Sequence, residues 1–526
     1  MSVPYWDISG VMPRYPRLYR DTRVDVVVIG GGITGLTAAY LLKQAGKRVA
    51  LLERGRLASI DTGSTTAHLS CVVDLPMTSL IKSFGADHAR AVWDAGFAAI
   101  AQIADIIDAE EIDSRFARVK GYLHTPLAQP ESDEGRRTLE REVEAAAGLG
   151  FDARFIERAP APIDRPAMEI DHQARFHPEA YLRRLAAVID SDGSAVYEEA
   201  PVDEIESDPI VVVAGGHRIK TEYVIVATHN PIVGKSTFLG ATLLQTKLAL
   251  YTSYVVSGRV APGTVTDALF WDIGDPYRYL RIDRTDDYDE VIYGGEDHKT
   301  GQSTDGASRF AALESALVRM VPDITLTNRW AGQVIETNDG LPFIGETSPR
   351  QFVATGFSGN GMTFGVLAAM MARDRVVGIT NPWAELFDAG RTKIVGGLWD
   401  YLKENSDYPY YLIRDRFAGP QGRSLRSVPR GAGRILELSG QRVAAYRHSD
   451  GELTLLSPTC THLGCQVEWN DTDHTWDCPC HGSRFAPTGD VLSGPAEKRL
   501  AESTIDERTI DGAVSEGTAV RTATDK

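Results

Sequence analysis

The sequence predicts an α/β unit at the N-terminal side, a largely antiparallel sheet inserted into it, and a small all-β module at the C-terminal side. Three observations carry this prediction. A short apolar run, a glycine turn and a helical stretch follow one another within residues 25–52. From about residue 243 to 295 the pattern becomes alternating and aromatic. After Gly431 only short strands and tight turns remain, and four of the five cysteines crowd between positions 460 and 480. At about 150 residues per domain, 526 residues leave room for two to four domains.

Composition narrows the function classes. Apolar residues at 43% and charged residues at 24% match an ordinary globular chain and exclude a disordered or disulfide-scaffold protein. A net charge of −17 repels phosphate backbones, so no nucleic-acid partner is expected. Arg423, Arg426 and Arg430 form only a thin basic segment, read as a solvated linker. No apolar run approaches the roughly 18 residues of a membrane span. The N-terminus lacks a secretory pattern, so a cytoplasmic protein is expected.

The elements follow in order. Asp25-Val-Val-Val-Ile29 is a buried strand, Ile33 to Gln44 has helical spacing closed by Gly46, and Arg48 to Leu52 is a second strand; together they form a β-α-β unit. Phe97 to Glu111 and Thr138 to Ala147 read as amphipathic helices, and another starts at Pro178. Ile210 to Val213 and Tyr223 to Ala227 are strands around a Gly215-Gly216 turn. The aromatic stretch (ALFWDIG, YRYLRID, DEVIYGG) reads as antiparallel strands. Ala307 to Met320 is a helix, Gln351 to Ala354 a strand, and Gly361 to Arg373 a helix. Scattered prolines and charges make residues 374–430 read as a partly ordered connector.

Gly30-Gly-Gly32-Ile-Thr-Gly35 has the G-x-G-x-x-G form after a strand and before a helix, and Glu53 ends the next strand. This context makes a dinucleotide site. Gly30 permits the turn, Gly32 lets the backbone approach a pyrophosphate, and Gly35 lets helix and strand pack closely. Ile33 and Thr34 open the helix whose free N–H groups face the phosphates, and Glu53 can accept from both ribose hydroxyls. A second glycine turn, Gly356-Phe-Ser-Gly359-Asn360-Gly361-Met362-Thr363, opens a second helix. No second G-x-G-x-x-G in such a context exists, which argues against a separate NAD(P)H domain.

With these segments in view, the sequence resembles the D-amino acid oxidase / glycine oxidase superfamily of FAD-dependent oxidoreductases. The resemblance rests on VVVIGGGITGLTAAYLL, Glu53-Arg54, YVIVATH, DGLPFIG and GFSGNGMTFG, and spans most of residues 24–375. It implies a Rossmann-like, glutathione-reductase-type FAD domain in discontinuous segments (about 24–95, 150–240 and 330–375). A substrate domain (about 96–149 and 241–329) would complete a unit reaching residue 395. Gly63-Ser-Thr65-Thr66-Ala-His68 sits where this family wraps the flavin. Its spacing does not match the pattern by which some relatives attach FAD through histidine, so extractable FAD is expected.

Cys460-Thr-His462-Leu-Gly-Cys465 and Cys478-Pro-Cys480-His481-Gly-Ser483 carry the most specific pattern: C-x-H, fifteen residues, C-x2-H. A Cys2His2 zinc site would usually space its ligands differently and leaves two further cysteines unexplained. The pattern resembles the Rieske [2Fe–2S] domain over residues 431–512, between a connector (396–430) and a flexible tail (513–526). That resemblance implies Cys460 and Cys478 on one iron, His462 and His481 on the other, and a Cys465–Cys480 disulfide. It also makes Gly494-Pro-Ala496 the loop covering the cluster. Imidazole ligands raise the potential, to about −150 to +300 mV across such centres. Ser483 is placed to donate to a sulfide. Phe485 replaces the tyrosine donor of high-potential members, so a lower midpoint is expected.

Together these imply an FAD-dependent dehydrogenase for a small amine or amino acid, with a [2Fe–2S] cluster passing electrons to an external acceptor. An oxidase with a structural cluster and a non-catalytic redox carrier are the alternatives. Glu169, His172 and His177 superficially fit a mononuclear iron site, but His177-Pro178 reads as a helix start. Arg278 and Arg281 are candidates for a substrate carboxylate, against pairing with Asp283 or Glu290; His298 is a candidate pocket residue, and Lys247 is weighed as a flavin neighbour. No catalytic base is assigned.

Overall fold

The computed structural model describes residues 4–6, 12–230, 244, 247–303, 305–391, 421–422, 424–503 and 505. Arg423 and most of the expected connector and tail lie outside the described residues. Among those described, no helix is long and apolar enough to cross a membrane.

The β-α-β start forms as its sequence dictates. Val26–Ile29 and Val49–Leu52 are fully buried and pair in parallel, with helix Ile33–Gln44 crossing between them. Strand Tyr223–Val226 joins on one side and Ala195–Tyr197 on the other, both parallel. Gln351–Thr355 extends the sheet in parallel and Phe343–Ser348 closes it antiparallel. Helix Gly361–Val377 packs on helix Ile33–Gln44, and the two helices and the sheet face share one core. A four-stranded sheet containing Val202–Ser207 and Ile210–Ala214 covers the other face.

The second layer is a nine-stranded sheet among the described residues, running from Thr325–Thr337 through Leu248–Val260 and Asp289–Lys299 to Ala117–His124 and Ala167–Arg175. The aromatic stretch supplies its centre, as expected. Strand Ala167–Arg175, which the sequence groups with the FAD segments, instead pairs with Ala117–His124 inside this sheet. Strands Ala117–His124 and Thr325–Thr337 carry mixed polar residues and weak alternation, because only part of each faces the core.

Helix boundaries shift outward where caps or burial extend them. The helix expected from Phe97 begins at Ala86, since Ala89, Val92 and Trp93 continue its buried stripe. That expected from Thr138 begins at Asp133, capped by Ser132 Oγ accepting from the Gly135 N–H at 3.1 Å. Residues 374–391 are no connector. The helix runs on to Val377, Phe387 is fully buried, and Arg391 pairs with Asp339 at 2.7 Å. Its guanidinium also lies 4.0 Å from the Phe343 ring centre.

The C-terminal module is two antiparallel sheets. One is Ala432–Leu438, Gln441–Arg447 and Leu453–Leu456; the other contains Glu468–Asn470, Thr475–Asp477, Arg484–Phe485 and Val491–Ser493. Trp469, Trp476 and Phe485 fill its core together with Cys460, Cys465 and Cys478.

Candidate functional site

A cavity of about 910 Å³ lies between the two layers, large enough for a cofactor and a small molecule. Its walls bring together residues from four distant segments: Gly30 to Thr34 with Glu53 and Arg54, Ser64 to His68, Phe357 to Met362, and Leu492 to Lys498. The last belongs to the C-terminal module.

The first turn is built as its glycines require. Gly30 has φ +110°, and a Cβ there would lie 2.4 Å from the Ala227 carbonyl oxygen. A Cβ on Gly35 would come within 1.9 Å of the Gly30 oxygen, so only glycine lets the helix approach the strand. Glu53 accepts from the N–H groups of Gly31 (2.7 Å) and Gly55 (2.8 Å). A carboxylate has about four acceptor positions, so two remain for hydroxyls. Burial pushes the Glu53 pKa up against these donors.

The Gly63–His68 segment is pinned from three sides. Trp330 Nε1 donates to the Ser64 oxygen at 2.8 Å and Trp6 Nε1 to the Thr65 oxygen at 2.6 Å. Arg281 donates to the Thr66 and Ala67 carbonyls, at 2.7 Å for the latter. Arg281 is fully buried, sits beside Asp283, and does not face the cavity. It holds the wrap, and the carboxylate-binding role does not fit it. Arg278 pairs with Glu296, while Glu290 is taken by Arg259, Ser257 and Thr327. His68 does face the cavity: Nδ1 meets the Thr66 hydroxyl at 3.0 Å, Nε2 is buried without a partner, and burial lowers its pKa to about 3.

His298 instead stacks on Tyr254 at 5.7 Å and is absent from the cavity wall. Lys247 donates to the Arg391 carbonyl at 3.0 Å and likewise lies away from the cavity. Glu169 is engaged by Lys120, Arg154 and Tyr122, and His177 packs edge-on against Trp6 at the helix start. These residues do not converge on an ion.

In the second turn, the Gly359 N–H donates to Asp74 at 2.9 Å. Gly359, Asn360, Gly361 and Met362 line the cavity; Thr363 is fully buried behind them, its hydroxyl unpartnered. Asp74, Asp297, Tyr277, Tyr279 and Gln333 also line the wall and escaped sequence reading. The signal present was Asp297 in the polar end, Glu296 to Lys299, of the otherwise apolar VIYGGEDHK strand, and the tyrosines beside the arginines of YRYLRID.

At the C-terminal module, Cys465 and Cys480 are joined by a disulfide. The sulfurs of Cys465, Cys478 and Cys480 lie within 4.8 Å of one another, but the disulfide consumes two of them as ligands. Cys460 and Cys478 remain as buried thiols within hydrogen-bonding reach of each other. The rings of His462 and His481 stand edge-to-face at 4.9 Å, and His462 Nδ1 is buried without a partner. Two thiols, two imidazoles and an orphaned ring nitrogen fit a cluster with mixed ligands. Ser483 is fully buried, its hydroxyl accepting from the Ala496 N–H at 3.1 Å, and Phe485 is fully buried.

The two sites touch. Gln333 Nε2 donates to the Gly482 carbonyl at 2.8 Å, Gln302 Nε2 to the Pro479 carbonyl at 3.3 Å, and Arg54 to the Leu492 carbonyl at 2.7 Å. A Cβ on Gly301 would meet the Cys478 backbone at 2.7 Å, so the large sheet lies directly against the second cysteine–histidine loop.

Comparison with known proteins agrees with this geometry. Residues 25–375 match the family model for FAD dependent oxidoreductases (DAO), and residues 423–504 match that for the Rieske [2Fe-2S] domain. A Rieske 2Fe-2S iron-sulfur protein of Bacillus subtilis (strain 168), YhfW, is 34% identical across 95% of this chain and 97% of its own. Gamma-glutamylputrescine oxidoreductase of Escherichia coli (strain K12) is 26% identical across 71% of this chain and 88% of its own. The crystal structure of glycine oxidase from Geobacillus kaustophilus superposes with a TM-score of 0.56 at 22% identity, covering 70% of this chain and 99% of that one, which shows the shared fold.

Proposed function

The chain belongs to the FAD dependent oxidoreductase (DAO) family and carries a Rieske [2Fe-2S] domain, and from that premise we propose that it is a dehydrogenase of a small amine or amino acid. Bound FAD would supply acceptance of an electron pair from substrate, and a bound [2Fe–2S] cluster would supply single-electron transfer toward an external acceptor. Gly30, Gly32, Ile33, Thr34, Gly35, Glu53 and Arg54 hold the dinucleotide end. Thr65, Thr66, His68, Gly359, Asn360, Gly361 and Met362, with Thr363 behind them, would hold the flavin end. Cys460, His462, Cys478 and His481 are the cluster ligands.

The observation that carries the reading is the shared wall: residues 492–498 of the C-terminal module line the same cavity as the glycine turn at 30–32. Gln333, also on that wall, donates to the carbonyl of Gly482, the residue after His481. The loop 478–482 thus adjoins the cavity. The other loop carries Leu463, 54% exposed, and leaves a face open to an acceptor. The chain's own contribution is to hold the sites adjacent and to shield the cavity from water.

The test is anaerobic addition of amines and amino acids to the full-length protein while flavin and cluster bands are recorded together. A substrate bleaches the flavin and then reduces the cluster. In His481→Ala the flavin still bleaches while reduction of an added one-electron acceptor falls to background. Acceptor reduction unaffected by that substitution overturns the electron path.

A further inference from the structure

The cavity wall beside Gly359 has a charge pattern that the proposed reaction does not by itself require. Asp74 accepts from the Gly359 N–H at 2.9 Å. Tyr277 crowds the same turn, since a Cβ on Gly359 would come within 2.4 Å of its hydroxyl. The Tyr277 and Tyr279 rings lie 5.7 Å apart, and the Tyr279 hydroxyl meets Ser253 Oγ at 2.9 Å. Asp297, on strand Asp289–Lys299, lines the same wall near Ser253. Its Oδ1 is sealed from solvent and has no hydrogen-bond partner. That oxygen is closed to a ligand, and it is the rest of the partly exposed Asp297, near Ser253, that meets the cavity.

None of the described arginines nearby is paired with Asp297, and Lys498 is the lysine among the lining residues. The arginines among the described lining residues are Arg54 and Arg56. Arg54 is bonded to the Leu492 carbonyl, and Arg56 is paired with Glu198. Arg309 lies near Asp297 but donates to the Glu296 carbonyl at 2.8 Å and pairs with Asp305 at 3.0 Å. Arg278 is held by Glu296, and Arg281 by backbone carbonyls. Asp272, a further carboxylate on the wall, is satisfied by the Gly274 and Arg278 N–H groups.

We propose that Asp74, Asp297, Tyr277 and Tyr279 form a subsite for an organic ammonium group, so that the substrate is a cationic amine rather than an α-amino acid gripped by its carboxylate. The inference rests on the dehydrogenase reading above and narrows its substrate class. Two carboxylates supply charge and hydrogen-bond acceptors, and two tyrosine faces supply cation–π attraction. A substrate carboxylate placed here would meet like charge, and Arg309, the arginine that acts on Asp297, is already paired with Asp305.

Burial and the neighbouring Asp74 and Glu296 charges raise the Asp297 pKa to about 7, with Arg309 and Ser253 opposing. Asp74 is open toward the cavity, yet protein crowds it enough that desolvation raises its pKa too. Only the ionised forms attract a cation. Binding therefore strengthens as pH rises through about 7, where an alkylammonium is still protonated.

The experiment uses the full-length protein with both cofactors. Tetramethylammonium, which cannot be oxidised, is titrated while the flavin spectrum is watched, with acetate as the contrasting probe. The expected result is a saturable change with tetramethylammonium that acetate does not produce, tightening between pH 6 and pH 8. Asp297→Asn weakens it by more than about tenfold while FAD content stays unchanged. In turnover, n-butylamine or 1,4-diaminobutane bleaches the flavin where glycine and L-proline do not. Acetate producing the change instead, or Asp297→Asn binding tetramethylammonium as the unsubstituted protein does, overturns the subsite. Bleaching by the amino acids alone also overturns it while leaving the dehydrogenase standing. Tetramethylammonium binding without bleaching by any compound keeps the subsite and overturns the dehydrogenase.

Discussion

The cluster site occupies residues 460–483, its two loops joined by the Cys465–Cys480 disulfide and closed by the Cys460 N–H to Cys465 carbonyl bond at 2.7 Å. The large cavity draws its wall from residues 29 to 498, and its parts are held by packing across two sheets and a core shared by both helices. The first is organised by covalent and local bonds, the second by the whole fold. A local site can lose its neighbours and persist, whereas a dispersed one fails when any distant support moves. That contrast is open to direct attack.

The largest effect is expected from Gly35→Ala. Its Cβ would sit 1.9 Å from the Gly30 oxygen, so strand and helix must separate. A loss of roughly 4 kcal/mol or more and of bound FAD is expected, with iron still present in the soluble protein. Thermal unfolding, flavin absorbance and iron content decide it, and parallel loss of iron would break the comparison. Next is the double substitution Cys465→Ala with Cys480→Ala. Opening a loop of 15 residues costs about 3 kcal/mol in the module, with cluster loss and normal FAD content. Loss of FAD as well would make the two sites one cooperative unit. The smallest is Ser483→Ala, which removes a buried hydroxyl beside the cluster loops. A lost hydrogen bond to a charged group, about 1.4 kcal/mol, lowers a one-electron midpoint by about 59 mV, read by redox titration of the full-length protein.

The same contrast governs what was legible in the sequence. The two cysteines of the disulfide lie fifteen residues apart in one segment, and their pairing was implied by the Rieske resemblance; the glycine turn with Glu53 is one β-α-β unit, which residue types at fixed spacing were enough to show. Asp74, Tyr277, Asp297 and Gln333 come from different segments and meet only when the large sheet lies over the second glycine turn. Arg281 was legible only in part: of the two readings weighed, pairing with Asp283 holds at 3.5 Å, but its bonds to a distant segment were out of reach of the sequence. A cation on an aromatic strand resembles a substrate anchor, until burial shows it bonded to the carbonyls of the Gly63–His68 segment. Residues 374–391 read as a connector because their prolines and charges hide one arginine pair and one buried phenylalanine.

The junction between the module and the large sheet has a kinetic consequence. Polar links described across it include Gln333 to Gly482, Gln302 to Pro479 and Arg54 to Leu492, and each of these ends on a backbone carbonyl. A free-standing carrier would depend on the affinity of such a seam alone. Placed on the same polypeptide, the carrier meets its seat at an effective concentration of about millimolar, so a weak seam keeps it docked. Covalent fusion thus substitutes for affinity, and the proposed electron transfer would not have to wait for a diffusing partner on its input side.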